Sequence, residues 1–312
     1  MFFIILLFLA ISVYFYWKSI KEVQRRKEAE LLINAFERKK DIYYYAKISP
    51  QLEYAYLSKA IDQYFGEGTQ EANIRDPLNA YLQLIHPDDA HIALAKINGT
   101  ANYDEPLTVR LKIASGEYQW FEEYASPVYK NGLLVAIHGV YRNIHEKIKL
   151  QQSITYKATH DALTKVKNRL YFEEQLAQCR KNEKSSGWGI IICDLDDLKR
   201  INDAQGHKQG DLYIQNSAML LKDAVADKGE VCRIGGDEFA ILLTHTTAEQ
   251  VAQLVTDVGI QIQEHNIYNP HMPLYMSIGY SFTNQPNRNL DDLFIQADHA
   301  MYANKLARKA MV

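Results

Sequence analysis

The chain opens with an apolar run that is followed by basic residues. Phe2–Trp17 is apolar throughout except for Ser12. Sixteen helical residues at about 1.5 Å each span about 24 Å, slightly less than the ~30 Å hydrocarbon core of a bilayer. Lys18 can extend its ammonium group to the interface. We therefore predict a transmembrane signal-anchor helix at residues 1–20.

The charges beside this run predict its orientation. No basic residue precedes it and no small-x-small cleavage pattern follows it, both of which a removed signal peptide would show. Lys18, Lys21 and Arg25–Lys27 follow instead, and the positive-inside rule keeps that end in the cytoplasm. Residues 21–41 mix charged and apolar residues and predict a juxtamembrane helix. Pairing with a second copy and an exposed spacer both fit this pattern.

Residues 42–146 contain three runs with strand periodicity. They are Leu107–Ile113, Tyr118–Ala125 and Leu133–Tyr141. Ser115-Gly116 and Asn131-Gly132 between them are turn signals. The pattern predicts a helical segment followed by a three-stranded antiparallel meander.

This segment resembles the PAS family. The resemblance rests on Ile85-His86-Pro87-Asp88-Asp89, Gly116-x-Tyr118-x-Trp120-Phe121, Pro127-Val128 and Gly139-Val140-Tyr141-Arg142-Asn143-Ile144. It implies that residues 42–146 form a sensory or dimerising module whose ligand is unknown. His86 or His91 could bind haem, but a capping or surface role is more common for such histidines. Residues 147–160 are predicted to form a linker helix.

Acidic residues end the most apolar strand pattern of the C-terminal half. Gly189–Cys193 leads into Asp194, and in a strand Asp194 and Asp196 face the same side. A second apolar hairpin carries Gly235-Gly236 as a predicted two-residue turn with positive φ, followed by Asp237-Glu238. Acids on adjacent strands can hold divalent metals, which suits phosphoryl or nucleotidyl transfer.

The segment between these strands carries candidate substrate ligands. Lys199 is placed to meet phosphate, and Asn202 with Asp211 could read a guanine edge. A calcium loop starting at Asp194 fails because Lys199 stands at the position that needs glycine and Gln205 at the one that needs glutamate. No P-loop pattern occurs. The net charge of −3 gives no basic field for a nucleic acid polymer.

Five motifs in order resemble the GGDEF family of diguanylate cyclases over residues ~158–312. They are Asp161–Arg169, the string from Asp194 to Asp211, Gly235-Gly236-Asp237-Glu238-Phe239, Ser277-Ile278-Gly279, and Ala297–Lys305. The resemblance implies an α+β chain, in which a PAS domain precedes a palm-like antiparallel sheet flanked by helices at residues 161–312. Together with the predicted anchor and the basic residues after it, this leads us to expect a single-pass bacterial inner-membrane protein with both domains in the cytoplasm.

The resemblance implies a role for each matched residue. Asp194, Asp237 and the Leu195 carbonyl would hold Mg²⁺ or Mn²⁺, and Glu238 would assist the attacking 3′-hydroxyl. The other implied ligands of GTP are Lys199 (also catalytic), Asn202, Asp211, Gly235, Gly236, Lys305 and Lys309. A homodimer would condense two GTP into cyclic di-GMP and release two pyrophosphate under PAS control. The downstream effectors are unknown.

Three departures from the family pattern change these expectations. Leu198 replaces a phenylalanine, which alters local packing. Lys309 stands at the position of an arginine, so we expect weaker triphosphate binding. Ala226 and Gly229 replace the arginine and aspartate of the family's inhibitory site, so we predict that no such site is present.

Overall fold

A computed structural model describes residues 17, 18, 20, 21, 23 and 24, and then 40–179, 187–284 and 290–310. The chain divides into two compact units between Gln151 and Gln152. Each unit is described by itself.

The predicted inner-membrane localisation is corrected by this structure. No helix among the described residues is both long and apolar enough to cross a bilayer. Every described helix of sufficient length carries several charged side chains, which a bilayer core disfavours. Residues 1–16 of the predicted anchor, and most of the predicted juxtamembrane helix at 21–41, lie outside the described residues.

The first unit is built on a five-stranded antiparallel sheet. Its strands are β1 (Ile42–Lys47), β2 (Glu53–Leu57), β3 (Leu107–Lys112), β4 (Tyr118–Lys130) and β5 (Leu133–Asn143), in the order β2-β1-β5-β4-β3. The predicted meander is confirmed as β3–β5. Asn131 and Gly132 have φ of 52° and 77°, as a two-residue hairpin turn requires. The β1–β2 hairpin was not predicted.

Short helices connect the two parts of this sheet. They are α1 (Ala60–Phe65), α2 (Thr69–Arg75), α3 (Pro77–Leu84) and α4 (Ala90–Ile97), with a 3-10 turn at Pro87–Asp89. The Asp88 amide donates to His86 Nδ1 at 3.2 Å, so His86 caps this turn. His91 is exposed on α4 and its Nδ1 lies 2.7 Å from the Asp88 carbonyl oxygen. Neither arrangement favours the haem alternative.

A buried ion pair occupies the interior of the first unit. Lys96 of α4 donates to Glu123 Oε1 at 2.8 Å, and the two side chains are 7% and 1% exposed. Lys96 also donates to the Tyr141 hydroxyl at 2.8 Å, and Tyr44 donates to Glu123. The Lys96 ammonium lies 4.9 Å from the ring centre of Tyr81. The ion pair thus has hydrogen bonds and aromatic contacts in place of water.

Little space remains around this ion pair. The void beside it has a volume of about 20 Å³, room for about one water molecule. Burial, with the Glu123 carboxylate adding, holds the pKa values of Tyr44, Tyr81 and Tyr141 well above their ordinary value. These hydroxyls therefore stay protonated around the ion pair, within a core whose other buried side chains are mainly apolar.

The second unit contains a five-stranded sheet with helices on both faces. Its strands are β6 (Lys167–Asn168), β7 (Trp188–Leu195), β8 (Glu230–Arg233), β9 (Glu238–Thr244) and β10 (Met276–Thr283), in the order β10-β7-β9-β8-β6. All pairs are antiparallel except β6 with β8. The predicted palm-like sheet is confirmed, with a parallel edge that was not predicted.

Six helices are described in the remaining chain. They are α5 (His145–Thr159), α6 (Arg169–Cys179), α7 (Leu198–Gln205), α8 (His207–Val225), α9 (Ala248–Tyr268) and α10 (Leu290–Lys309). The prediction of a linker helix is confirmed by α5, which has no buried side chain and crosses the division between the units.

Strand β7, which lies between β10 and β9, separates two hydrophobic cores. All eight of its residues are buried. Ile191, Cys193 and Leu195 belong to the core that includes residues of α8 and α9. Ile190 and Ile192 belong to the core on the opposite face, with residues of α6 and α10. By this alternation Asp194 shares the face of Ile190 and Ile192, the face that α10 covers.

Gly279 allows α10 to lie directly on β10. A Cβ atom at Gly279 would stand 2.0 Å from the Met301 amide nitrogen and 2.4 Å from the Ala297 carbonyl oxygen. The Asn304 side chain, also on α10, accepts from the Ile278 amide at 3.1 Å. Glycine at 279 therefore sets how closely the end of α10 approaches the sheet.

Lys96→Met should destabilise the first unit by about 3–5 kcal/mol, because it leaves the Glu123 carboxylate buried without its counter-charge. Amide exchange of β4 and β5 in the full chain measures this loss. The matched control is Lys47→Met, whose exposed pair with Glu53 should cost less than about 1 kcal/mol. Equal effects of the two substitutions would contradict the prediction, and Lys96→Met/Glu123→Leu should recover part of the loss.

Gly279→Ala should destabilise the second unit by about 1–3 kcal/mol or more, because helix backbone has to move. Gly259→Ala in α9 is the control, since a Cβ there meets no atom within 4 Å. It should raise stability by about 0.5–1 kcal/mol through helix propensity. Denaturant unfolding of the two variants tests this opposite sign, and a neutral Gly279→Ala would show that α10 is not in tight contact.

Candidate active site

The acidic ends of β7 and β9 lie side by side. Asp194 is paired in register with Glu238 across the two strands. The Leu195 amide donates to the Asp237 carbonyl oxygen at 2.8 Å, which ties the residue before β9 to the end of β7. The next residue, Asp196, donates its amide to the Tyr275 carbonyl oxygen at 2.9 Å. Four acidic residues therefore meet at one end of the sheet.

Lysine from α10 neutralises the most buried of these acids. The Asp194 side chain is 8% exposed, and Lys305 Nζ lies 2.5 Å from its Oδ1. Lys305 projects from the helix that Gly279 holds against the sheet. The contact places a cationic side chain on the carboxylate that a metal ion would also use.

The electrostatics of this cluster favour additional positive charge. Burial raises the pKa of the Asp194 carboxyl, the Lys305 ammonium lowers it, and the charges of Asp237 and Asp196 raise it again. Burial also raises the pKa of Glu238, with Asp237 and Asp194 adding. For Lys305, burial lowers the pKa, but the hydrogen bond that it donates to Asp194 and the charges of Asp194, Asp196 and Asp237 together outweigh burial, so the net shift is upward. The pKa values of Asp194 and Glu238 are thus raised first by burial and further by neighbouring carboxylates, and Lys305 offsets only part of the rise.

A cleft of about 1170 Å³ opens beside the acids. Five of the predicted site residues line it: Leu195, Lys199, Asp237, Lys305 and Lys309. Asp194 does not line the cleft itself, but it is bonded to Lys305, which does. A volume of this size is sufficient for a nucleoside triphosphate. The structure therefore brings the predicted metal and phosphate ligands together.

The predicted guanine ligands lie close together on neighbouring helices. Asn202 is on α7, and its Oδ1 stands 1.9 Å from the position of a Cβ at Gly210. Glycine at 210 thus leaves space for Asn202 directly beside Asp211. Neither Asn202 nor Asp211 lines the cleft, although Asp203 and Ala204 of α7 do.

The Gly235-Gly236 segment differs from its predicted form. β8 ends at Arg233 and β9 begins at Glu238, so four residues connect the strands, and neither glycine has positive φ. The two-residue turn was wrong because the Ile234 and Gly235 amides both donate to the Glu238 carbonyl oxygen, at 3.0 Å and 3.2 Å, so a longer loop closes on Glu238. Gly235 is needed for space, since a Cβ there would lie 2.5 Å from Glu238 Oε2.

An arginine bridge holds this loop. Arg233 donates to Asp161 Oδ1 at 3.1 Å and to the Gly236 carbonyl oxygen at 2.7 Å. Asp161 also accepts the Thr164 amide and hydroxyl, at 2.8 Å and 2.6 Å. These bonds lower the pKa of Asp161 although burial opposes them. The first of the five sequence motifs is thereby bonded to the loop that carries Asp237 and Glu238.

Sequence reasoning missed two residues of the cleft wall. Asp196 accepts from the Ser277 hydroxyl at 2.9 Å and 3.1 Å, and Arg308 Nε lies 3.6 Å from Asp196 Oδ2. Both residues line the cleft. The shared face of Asp194 and Asp196 was a usable signal for the first. The seven-residue spacing of Arg308 from the buried Met301 was a signal for the second.

The donor set fits a divalent cation that is completed by substrate. Among the described residues no three His, Cys, Asp or Glu side chains are grouped to hold a metal on their own. Mg²⁺ commonly takes only one or two carboxylates together with waters and substrate phosphates. Asp194 and Asp237 provide two oxygen donors beside a phosphate-sized cleft, and their excess charge suits a hard cation.

Comparison with known proteins agrees with these observations. Residues 158–311 match the model of the diguanylate cyclase GGDEF domain, and residues 54–141 match a PAS fold. Diguanylate cyclase DgcM of Escherichia coli K12 is 30% identical over 207 residues, which are 64% of this chain and 49% of that protein. An uncharacterized protein, y4lL, of Sinorhizobium fredii is 28% identical over 234 residues, 71% of this chain and 28% of that protein. The chain thus spans about half or less of these relatives.

Solved structures also share similarity with part of this chain. The coiled coil and GGDEF domain of DgcB from Caulobacter crescentus, in complex with c-di-GMP, has a TM-score of 0.48 at 23% identity and covers 53% of this chain and 89% of that one. The family models carry the assignment by themselves. Residues 158–311 of this chain are a GGDEF domain, and residues 54–141 are a PAS fold.

Proposed function

We propose that this protein is a diguanylate cyclase, which condenses two GTP into cyclic di-GMP and two pyrophosphate. The observation that carries the proposal is the junction of β7 and β9, where Asp194 and Asp237 meet beside a cleft lined with basic side chains. The match of residues 158–311 to the diguanylate cyclase domain model supports the same chemistry.

Asp194, Asp237 and the Leu195 carbonyl are the proposed ligands of Mg²⁺ or Mn²⁺. A divalent ion at this position would neutralise phosphate oxygens and lower the pKa of a hydroxyl group next to it. Glu238 is the proposed acceptor of the 3′-hydroxyl proton. Its raised pKa, caused by burial and by Asp237, favours proton uptake.

The remaining predicted residues divide between the two ends of GTP. Lys199, Lys305 and Lys309 line the cleft and compensate the charge of the triphosphate. Asn202 and Asp211, held together across Gly210, are the proposed readers of guanine. Gly235 and Gly236 keep the loop before Glu238 free of Cβ atoms, so that a substrate can approach its backbone.

The stoichiometry of the reaction supports a homodimer. Each cleft has one set of acids and accommodates one GTP. Forming two phosphodiester bonds requires each 3′-hydroxyl to attack the α-phosphate of the other nucleotide and expel pyrophosphate. Two copies must therefore present their clefts to each other. We propose that the PAS fold regulates this encounter, with a signal that is unknown.

Incubation of the full chain with Mg²⁺ and GTP should yield cyclic di-GMP, detected by chromatography and mass spectrometry. Asp237→Ala and Glu238→Ala should lower the rate by at least about a hundredfold, the usual scale for loss of a metal ligand or acid-base group. Asp257→Asn is the control, because its pair with Lys228 lies away from the cleft and should leave the rate unchanged.

Three results would contradict the proposal. GTP binding without turnover would indicate a non-catalytic regulator. Consumption of ATP in preference to GTP would indicate another nucleotidyl enzyme. Equal rates for wild type and Asp237→Ala would show that the acid cluster does not take part in the reaction.

We further propose that the family's inhibitory site is absent. Ala226 and Gly229 stand at its positions, and a Cβ at Gly229 would lie 2.4 Å from the Leu242 carbonyl oxygen and 2.6 Å from Leu243 Cδ2. An aspartate at 229 therefore does not fit without movement of β9. The inhibitory site is therefore absent for two reasons: its two side chains are replaced, and the backbone at residue 229 leaves no space for an aspartate.

Turnover of the wild type should stay within about twofold when product is added at micromolar concentrations, because no arginine–aspartate pair is present to bind it. Initial rates at increasing cyclic di-GMP measure this. Ala226→Arg/Gly229→Asp should lower the melting temperature instead of creating inhibition. Sharp inhibition of the wild type by micromolar product would disprove the absence of the site.

A further inference from the structure

Five basic side chains line the cleft, and they differ in what they contact. They are Lys199, Arg200, Lys305, Arg308 and Lys309. Lys305 is engaged with Asp194, and Arg200 pairs with Asp197 where both side chains are largely exposed. Arg308 is only partly exposed, at 40%. Among the described basic residues of the cleft, Lys305 and Arg308 are therefore the two whose side chains contact residues at the end of the sheet.

The position of Arg308 on α10 explains this placement. The buried residues Leu293, Ala297 and Met301 form one stripe with four-residue spacing on α10. Arg308 follows Met301 by seven residues, two helical turns, and so continues this stripe to the end of the sheet. Lys309 lies about 100° further round the helix and is exposed.

Two contacts orient the Arg308 guanidinium. Its Nη1 donates to the Met276 carbonyl oxygen, and its Nε lies 3.6 Å from Asp196 Oδ2. Asp196 is itself fixed by the Ser277 hydroxyl at 2.9 Å. Within the described part of the chain, no acceptor is bonded to Arg308 Nη2. One edge of the guanidinium is thus fixed while donors remain available to the cleft.

We propose that Arg308 is the residue that grips the terminal phosphates of the nucleotide, and that Asp196 is its positioning residue. This inference rests on the proposed function and names the phosphate-specificity residue of that site. A guanidinium offers paired donors to phosphate oxygens, whereas an ammonium group acts as a point charge. Lys309 has no paired N–H donors for phosphate. Arg308, one position earlier on α10 and facing the sheet, provides them.

Binding of 3′-deoxy-GTP and 3′-deoxy-GMP to the full chain tests this, because neither nucleotide has the attacking hydroxyl. Isothermal titration in Mg²⁺ gives both affinities for each variant. Arg308→Lys keeps the charge but removes the fork. It should weaken triphosphate binding about tenfold or more and change monophosphate binding by less than about threefold. Lys309→Met, the matched control, should weaken triphosphate binding by about threefold or less.

Asp196→Asn separates positioning from charge. Removal of a negative charge from the cleft would by itself tighten triphosphate binding, whereas loss of the guanidinium position weakens it. We expect weaker binding of the triphosphate, with the monophosphate unchanged.

Three outcomes overturn the inference. Equal losses for both nucleotides in Arg308→Lys would show a purely structural role. A larger loss in Lys309→Met than in Arg308→Lys would return the phosphate contact to Lys309. Tighter triphosphate binding by the Asp196→Asn variant would show that Asp196 does not position Arg308. Wild-type protein that binds neither nucleotide would reject the proposed function itself, which is a different result from any of these.

Discussion

The second unit depends on one electrostatic constraint, the burial of the Asp194 carboxylate near the end of the fully buried strand β7. A carboxylate in this position costs several kcal/mol unless opposite charge is supplied. Lys305 supplies it from α10, across 111 residues of chain. The contact between Lys305 and Asp194 requires α10 to lie on β10. This packing is possible because Gly279 has no Cβ atom. The site and the packing of the last helix are thus parts of one arrangement.

Excess negative charge makes this end of the sheet chemically distinctive. Asp196, Asp237 and Glu238 surround the single pair of Asp194 and Lys305, and each titratable shift in the cluster follows from burial and mutual repulsion. The first unit handles a buried charge differently. Lys96 and Glu123 form a closed pair whose polar atoms are satisfied by tyrosines. The second unit therefore has an acid cluster that borders a cleft and carries excess negative charge. In the first unit, the buried pair has no net charge and little space around it.

Much of the second unit was predictable because its signals are local. The apolar run at Gly189–Cys193 and the acids after it follow strand periodicity, and the meander of the first unit is marked by Asn131-Gly132. Features that depend on distant partners were not predictable. The Lys96–Glu123 pair joins a helix to a strand, and the Arg308 contacts depend on how α10 meets the sheet. The Gly235-Gly236 error arose because hairpin statistics do not reveal where β8 stops pairing.

The placement of α10 has a consequence for synthesis of the protein on the ribosome. The strands that carry Asp194 and Asp237 emerge well before Lys305 and Arg308, which lie in the final described helix. A nascent chain that has reached only α9 holds several acids together without their basic partners. Stable closure of this sheet end therefore has to wait for the last helix, and divalent cations or chaperones in the cell could shield the acids until then.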